Sequence, residues 1–201
     1  MANVNTAYGL RPASRIGSVP SSNGGTEYRI DPTDSNKIYQ GMPVVVTTDG
    51  FVARIGSATG NNEKVLGVFM GCQYVSVTER KPIWSPFWPG SGAITTEPVV
   101  ATVMDDPMQI FRIAANGAVV QANVFQNANM ALAQDGSDTT GVSDGVLDVS
   151  TIAGGTAAQK LLRIVGFADE ADNNTLGSAG VSVLVRFQNH YNAPASVAVV
   201  A

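Results

Sequence analysis

The segment VLGVFMGCQYVSV, residues 65–77, is the longest nearly uninterrupted apolar and β-prone run in the chain. Only Gly67, Gly71, Gln73 and Ser76 dilute it. Val, Phe, Tyr and Cys fit a pleated, buried surface better than a helix, so the run predicts a central strand. The string PIWSPFWPG (82–90) follows almost at once and holds both tryptophans, Trp84 and Trp88. Pro82, Pro86 and Pro89 exclude a paired central strand throughout that string, because proline donates no ladder hydrogen bond. It reads as an aromatic corner resting on the strand.

Working outward, short β-prone runs recur between turn signals. Residues 28–30, 44–48 and 51–55 read as strands, with Asp49-Gly50 as a hairpin dipeptide between the last two. Residues 99–104 and 108–114 follow, and Asn116-Gly117 reads as a second hairpin turn. Residues 146–152, 160–168 and 181–189 complete the set. Residues 118–134 are Ala- and Gln-rich and fit either a short helix or two strand pieces around Asn127. Helical periodicity is otherwise nearly absent. The expected fold is all-β: a barrel- or sandwich-like domain of short antiparallel strands, with few or no helices and an extended N-terminal arm.

The arm is residues 1–27, a polar ribbon with Pro12, Pro20 and the tract SSNGG. Its apolar and basic residues Tyr8, Leu10, Arg11 and Ile16 are spaced as separate anchors, a pattern that suits binding across a neighbouring subunit as well as a loose terminus. The β domain spans 28–192 and a weak tail 193–201. Two similar lobes, about 28–115 and 116–192, are a further division. IYQG (38–41) and VFQN (124–127) match in type, and each precedes an apolar piece, an Asp-Gly turn (49–50, 135–136) and a Lys-Leu strand (64–69, 160–167). The competing explanation is the ordinary reuse of turn dipeptides in β proteins.

With 201 residues the chain holds one domain, or one with an arm. Charged residues are 14%, against roughly 25% in an average soluble protein, so uncharged polar groups or partners must cover the surface. The net charge of −4 supplies no basic footprint for nucleic acid. A single cysteine excludes an internal disulfide. The opening MANVNTAYGL lacks the basic and apolar regions of a signal peptide, and no run approaches the ~20 apolar residues of a membrane span. The expectation is a soluble protein made in a reducing compartment, with no membrane partner.

Catalysis needs titratable groups brought together. The one histidine, His190, and the one cysteine, Cys72, read as structural residues, and together they are too few for an ordinary zinc site. The acidic loops 135–144 and 169–174 have a calcium-loop composition without the EF-hand order of ligands, and read as solvated turns. Glycine-rich pieces at 90–93 and 153–156 lack phosphate-loop spacing. No enzyme activity, cofactor or metal is expected. Trp84, Phe87 and Trp88 form the one group suited to an interface anchor, a core-capping corner being the alternative.

The opening ANVNTAYGLRP (2–12) resembles the start of a group of tailed-phage virion proteins with an Asn-x-x-x-Gly-Leu-Arg-Pro-type string. The resemblance continues at IYQGMPVVV (38–46), VLGVFMGCQYV (65–75) and PFWPG (86–90), and fades after about residue 115, apart from a strand ending in Asn189-His190. It implies a capsid decoration, or cement, protein. Such a protein would lie on the outer capsid surface, commonly as a homotrimer, and clamp adjacent major capsid protein subunits after synthesis in the host cytoplasm. The interface would then comprise Tyr8, Leu10, Arg11 and Ile16 of the arm with Trp84, Phe87 and Trp88 of the corner. The rival expectations are a tail or head-fibre component, a carbohydrate-binding module using Trp84, Trp88 and Tyr74, and, last, a hydrolase using His190.

Overall fold

A computed structural model describes residues 3, 6–17, 24–58, 63–153, 160–170 and 173–193. The remainder of the arm and residues 194–201 of the tail lie outside the described residues. The chain is all-β, with two antiparallel sheets.

The first sheet takes strands from the first half of the chain: β2 (Thr26–Ile30), β3 (Pro43–Val46), β4 (Val52–Arg54), β5 (Gly67–Val75), β6 (Pro82–Ser85) and β7 (Val99–Met104). Its order is β2-β7-β5-β3-β4, with β6 also on β5. The second sheet holds β1 (Arg11–Arg15), β8 (Gln109–Ala114), β9 (Asn127–Ala131), β10 (Val146–Ala153), β11 (Leu162–Phe167) and β12 (Ser182–Phe187). Its order is β1-β8-β12-β11-β9-β10.

The run that opens the sequence reading forms β5, the centre of the first sheet. One edge pairs along β7; the other is shared, with β3 taking Gly67 and Val68 and β6 taking Cys72–Val75. Its first six residues, Gly67–Cys72, are apolar and almost wholly buried because both faces are covered there, whereas Gln73 is exposed and Tyr74 and Val75 are partly buried. Leu66, Phe69 and Cys72 enter the core of the first half, beside Ile38, Met42 and Trp88. Val65 and Val68 enter the core of the second half, beside Phe111, Leu147 and Val183. β5 is therefore the shared wall of two cores. Full burial of a side chain such as Phe69 stabilises the fold by about 1.5–3 kcal/mol.

The two sheets repeat one topology. Replacing β2, β3, β4, β5 and β7 by β8, β9, β10, β11 and β12 converts the first strand order into the second. A bulge falls at the same place in both, between Phe69 and Gly71 against β7 and between Ile164 and Gly166 against β12. Backbone hydrogen bonds match: Gly41 N–H donates to Phe69 O at 2.8 Å and Phe125 N–H to Ile164 O at 2.9 Å. Phe69 N–H donates to Met42 O at 2.9 Å and Ile164 N–H to Gln126 O at 3.0 Å. The halves meet between Met104 and Gln109, upstream of residue 115. The strings IYQG and VFQN fall in equivalent connections, but Gly41 is matched by Phe125 rather than by Asn127.

Each sheet curls until its ends approach. Ala115, just past β8, bridges in parallel to Leu147 of β10, and Asn116 N–H donates to Leu147 O at 3.1 Å. Asn116-Gly117 is thus a closure point and not the expected hairpin turn, since β8 is flanked by β1 and β12. The Asp49-Gly50 turn does join the β3–β4 hairpin, with Thr47 N–H donating to Phe51 O at 2.8 Å. The ambiguous 118–134 stretch holds a short 3-10 turn, Gln121–Asn123, followed by β9.

The described part of the arm packs on its own chain. Leu10 N–H donates to Gly41 O at 2.9 Å and Gly9 N–H to Gly145 O at 3.2 Å, so one short segment ties the two halves. Leu10 is 1% exposed, within the second core. Tyr8 OH lies 3.2 Å from Ser182 Oγ, and the guanidinium groups of Arg11 and Arg112 lie over the Tyr8 ring at 4.8 and 5.3 Å from its centroid. Arg112 pairs with Glu170, which accepts from Ser182 Oγ at 2.7 Å. β1 then adds to the outer edge of β8.

Candidate interaction surface

Trp84 is exposed over 64% of its surface. Its position follows from strand alternation. In the β5–β6 pair Trp84 stands opposite Gln73 and Pro82 opposite Val75, and all four face outward; Cys72 and Ser85, one residue on, face inward. The indole is seated on Gly71, where a Cβ would meet Trp84 Cζ2 at 2.8 Å. Part of the indole therefore lies against the Gly71 backbone while most of the residue meets solvent. Exposed tryptophan framed by Pro82 and Val75 is the composition of an interface anchor, since Trp carries disproportionate binding energy.

Trp88, only four residues on, has the opposite fate. It is fully buried, donates Nε1–H to Asp34 O at 3.0 Å, and meets Tyr74 edge-on at 5.5 Å. Phe87 is half-buried and stacks on Tyr39 at 5.6 Å. The aromatic corner is thus mostly core. The expected group Trp84, Phe87, Trp88 resolves into one outward anchor, one partly covered ring and one core residue. Burial of Trp88 also removes the three-ring platform on which sugar stacking would depend.

The arm residues divide in the same way. Tyr8 and Leu10 are buried against their own chain, Leu10 at 1% exposure. Burial raises the Tyr8 pKa above its ordinary value. Arg11 is exposed on β1. Ile16 is exposed, and its N–H donates to Met108 O at 3.0 Å, so it lies beside another exposed apolar residue. Arg11 and Ile16 belong to the second sheet's edge and Trp84 to the first sheet.

The one cysteine and the one histidine are both interior. Burial pushes the Cys72 thiol up to about 12, and its Sγ lies 3.6 Å from Phe87 O. His190 is 4% exposed, and burial holds its pKa below the ordinary value. Its Nδ1 accepts from Asn192 N–H at 3.1 Å, and Nε2 has no partner among the described residues. Among the described residues no group of three or more His, Cys, Asp or Glu is arranged to hold a metal ion. In the acidic loop 135–144, Asp138 instead accepts from Lys37 Nζ at 2.5 Å and Tyr39 OH at 2.6 Å, fastening the loop to the first half. Those hydrogen bonds, Lys37 first, lower the Asp138 pKa.

The sequence reading missed Phe125. It is 71% exposed with φ +68°, the conformation that its counterpart Gly41 adopts at φ +87°. The sequence carried no signal for it, because IYQG and VFQN align Phe125 with Tyr39, and only the backbone hydrogen bonds set it opposite Gly41. The chain matches no family model, no curated protein and no solved structure.

Proposed function

We propose that the protein is a structural virion component, a decoration protein that binds the outside of a tailed-phage capsid and stabilises contacts between major capsid protein subunits. The observation that carries the reading is Trp84, held outward on a glycine seat and exposed over 64% of its surface. The phage-like strings at 2–12, 38–46, 65–75 and 86–90 support it. The low charge suits a surface that docks by apolar and hydrogen-bonded contact.

The mechanism is mass action. A protein that binds the assembled lattice and not its free subunits stabilises that lattice by the binding free energy. On this reading the body, its halves tied by Gly9 and Leu10, carries load between the capsid subunits that it bridges. Self-association as a homotrimer is part of the proposal.

The test is cosedimentation with purified expanded capsids of the phage that carries the gene, followed by thermal challenge of the loaded particles. Saturable binding with a raised disruption temperature supports the reading. Absence of binding to the capsid, or binding confined to tails, overturns it in favour of a tail or fibre component.

A further inference from the structure

The outer face of the second sheet carries a band of arginines. Arg11 stands opposite Arg112, Arg112 opposite Leu184, and Arg163 opposite Arg186. Leu184 and Arg186 are two residues apart on β12, so all four arginines share one face. The alternate residues Phe111, Val183, Val185 and Ile164 point the other way, into the second core. The band therefore crosses β1, β8, β12 and β11, which are adjacent in that order. Three strand spacings make it about 14 Å long.

One carboxylate answers the band at one end. Glu170 pairs with Arg112 and accepts from Ser182 Oγ, and the Tyr8 ring underlies Arg11 and Arg112. The other end is uncompensated. Arg163 donates Nε–H to Asn127 Oδ1 at 3.2 Å, a neutral acceptor. The Arg186 guanidinium makes no hydrogen bond or ion pair among the described residues. Like charges directly opposite each other weaken a sheet, and Arg186 is half-buried. Burial first, and then the Arg163 charge, lower the Arg186 pKa. A carboxylate set between these two guanidinium groups would relieve that repulsion and accept charge-assisted hydrogen bonds from both.

The distribution of charge selects the occupant. The chain carries −4 overall and this face, four arginines with Glu170, carries +3, which leaves −7 on the rest. A long polyanion such as a nucleic acid, reaching past the band, meets that negative remainder, whereas a short acidic segment stays within the band. Planar guanidinium forks match carboxylates bidentately. An extended chain, rising about 3.3 Å per residue, spans the band with about four or five residues.

We propose that the outer face of the second sheet binds a short acidic segment of a partner polypeptide, whose carboxylates seat on the Arg163–Arg186 pair and on Arg11. The inference does not rest on the capsid reading and is tested without capsids, so either can fail alone.

The experiment is fluorescence anisotropy of a labelled pentaglutamate peptide at low salt, titrated with the full chain, with Arg186→Gln, with Arg163→Gln/Arg186→Gln, and with Lys81→Gln. Lys81, in the turn between β5 and β6 of the first sheet, is the control for loss of a positive charge elsewhere. A DNA oligonucleotide of the same charge is the second probe. Saturable peptide binding is expected, about tenfold weaker in Arg186→Gln, weaker still in the double variant and unchanged in Lys81→Gln. Arg163 also holds Asn127, so circular dichroism establishes folding of each variant. Should the double variant fail to fold, Arg186→Gln, which gives up no bond within the described chain, decides alone. Absence of saturable peptide binding, equal binding by Arg186→Gln and wild type, or tighter binding of the oligonucleotide than of the peptide overturns the proposal.

Discussion

Gly67 and the carbonyl of Met104 are in such close approach that a Cβ on residue 67 would stand 2.2 Å from the Met104 oxygen. Both groups are backbone, at the contact where β5 leaves β3 and joins β7. Gly67→Ala is therefore expected to destabilise the protein by about 3 kcal/mol, the upper range for overpacking. Gly166, at the repeat's equivalent of Gly71, has nothing within 4 Å of a built Cβ. Gly166→Ala should stay within about 0.5 kcal/mol of wild type in the same urea titration.

The interior placement of the arm makes a second prediction. Leu10→Ala removes a fully buried side chain and should cost about 2–5 kcal/mol in the isolated protein. Tyr8→Phe, which loses the contact with Ser182, should cost about 1 kcal/mol. Were the arm an anchor for a partner alone, neither change would move the chemical-denaturation midpoint of the free protein.

The strain at Phe125 predicts a substitution that helps. Phe125→Gly relieves roughly 1–2 kcal/mol of left-handed strain and adds about 0.5–1 kcal/mol of unfolded-state freedom. The unfolding midpoint should be unchanged or slightly raised, measured where the protein is dilute. A clear loss of stability would mean that the ring packs on its own chain.

His190 predicts a pH dependence. Burial holds its folded pKa below the ordinary value of about 6.5. As pH falls through about 6.5 the unfolded chain takes a proton that the folded chain refuses. Stability from this group is therefore fully present above that pH and declines below it, by at most about 1.4 kcal/mol per pH unit. Comparing urea midpoints at about pH 7.5 and 5.5, above most carboxylate titration, isolates the effect. His190→Phe should flatten the profile.

What the sequence made legible was set by local pattern. β5, β7 and the Asp49-Gly50 hairpin follow from runs of β-formers between turn residues, and the all-β class with them. The arm was harder because its partners are remote: Tyr8 meets Ser182, and RPASR pairs with β8 without apolar alternation of its own. The same distance misled at Asn116-Gly117, where a turn dipeptide serves a closure between β8 and β10. Within the site, Trp84 and Trp88 share one proline-rich string with no strand period to separate their faces. The register of β6 on β5 sends the first outward, and the Ile38 bridge, the Asp34 carbonyl and the Tyr74 ring draw the second in.

The most direct test of the capsid-binding account is the binding isotherm of Trp84→Ala against wild type on expanded capsids. The indole is exposed, so the variant should keep its stability within about 0.5 kcal/mol. As an interface anchor it should lose at least 2 kcal/mol of binding, about thirtyfold in affinity. Equal affinity of variant and wild type would contradict the assignment of Trp84, and a wild type that does not bind capsids would contradict the account as a whole.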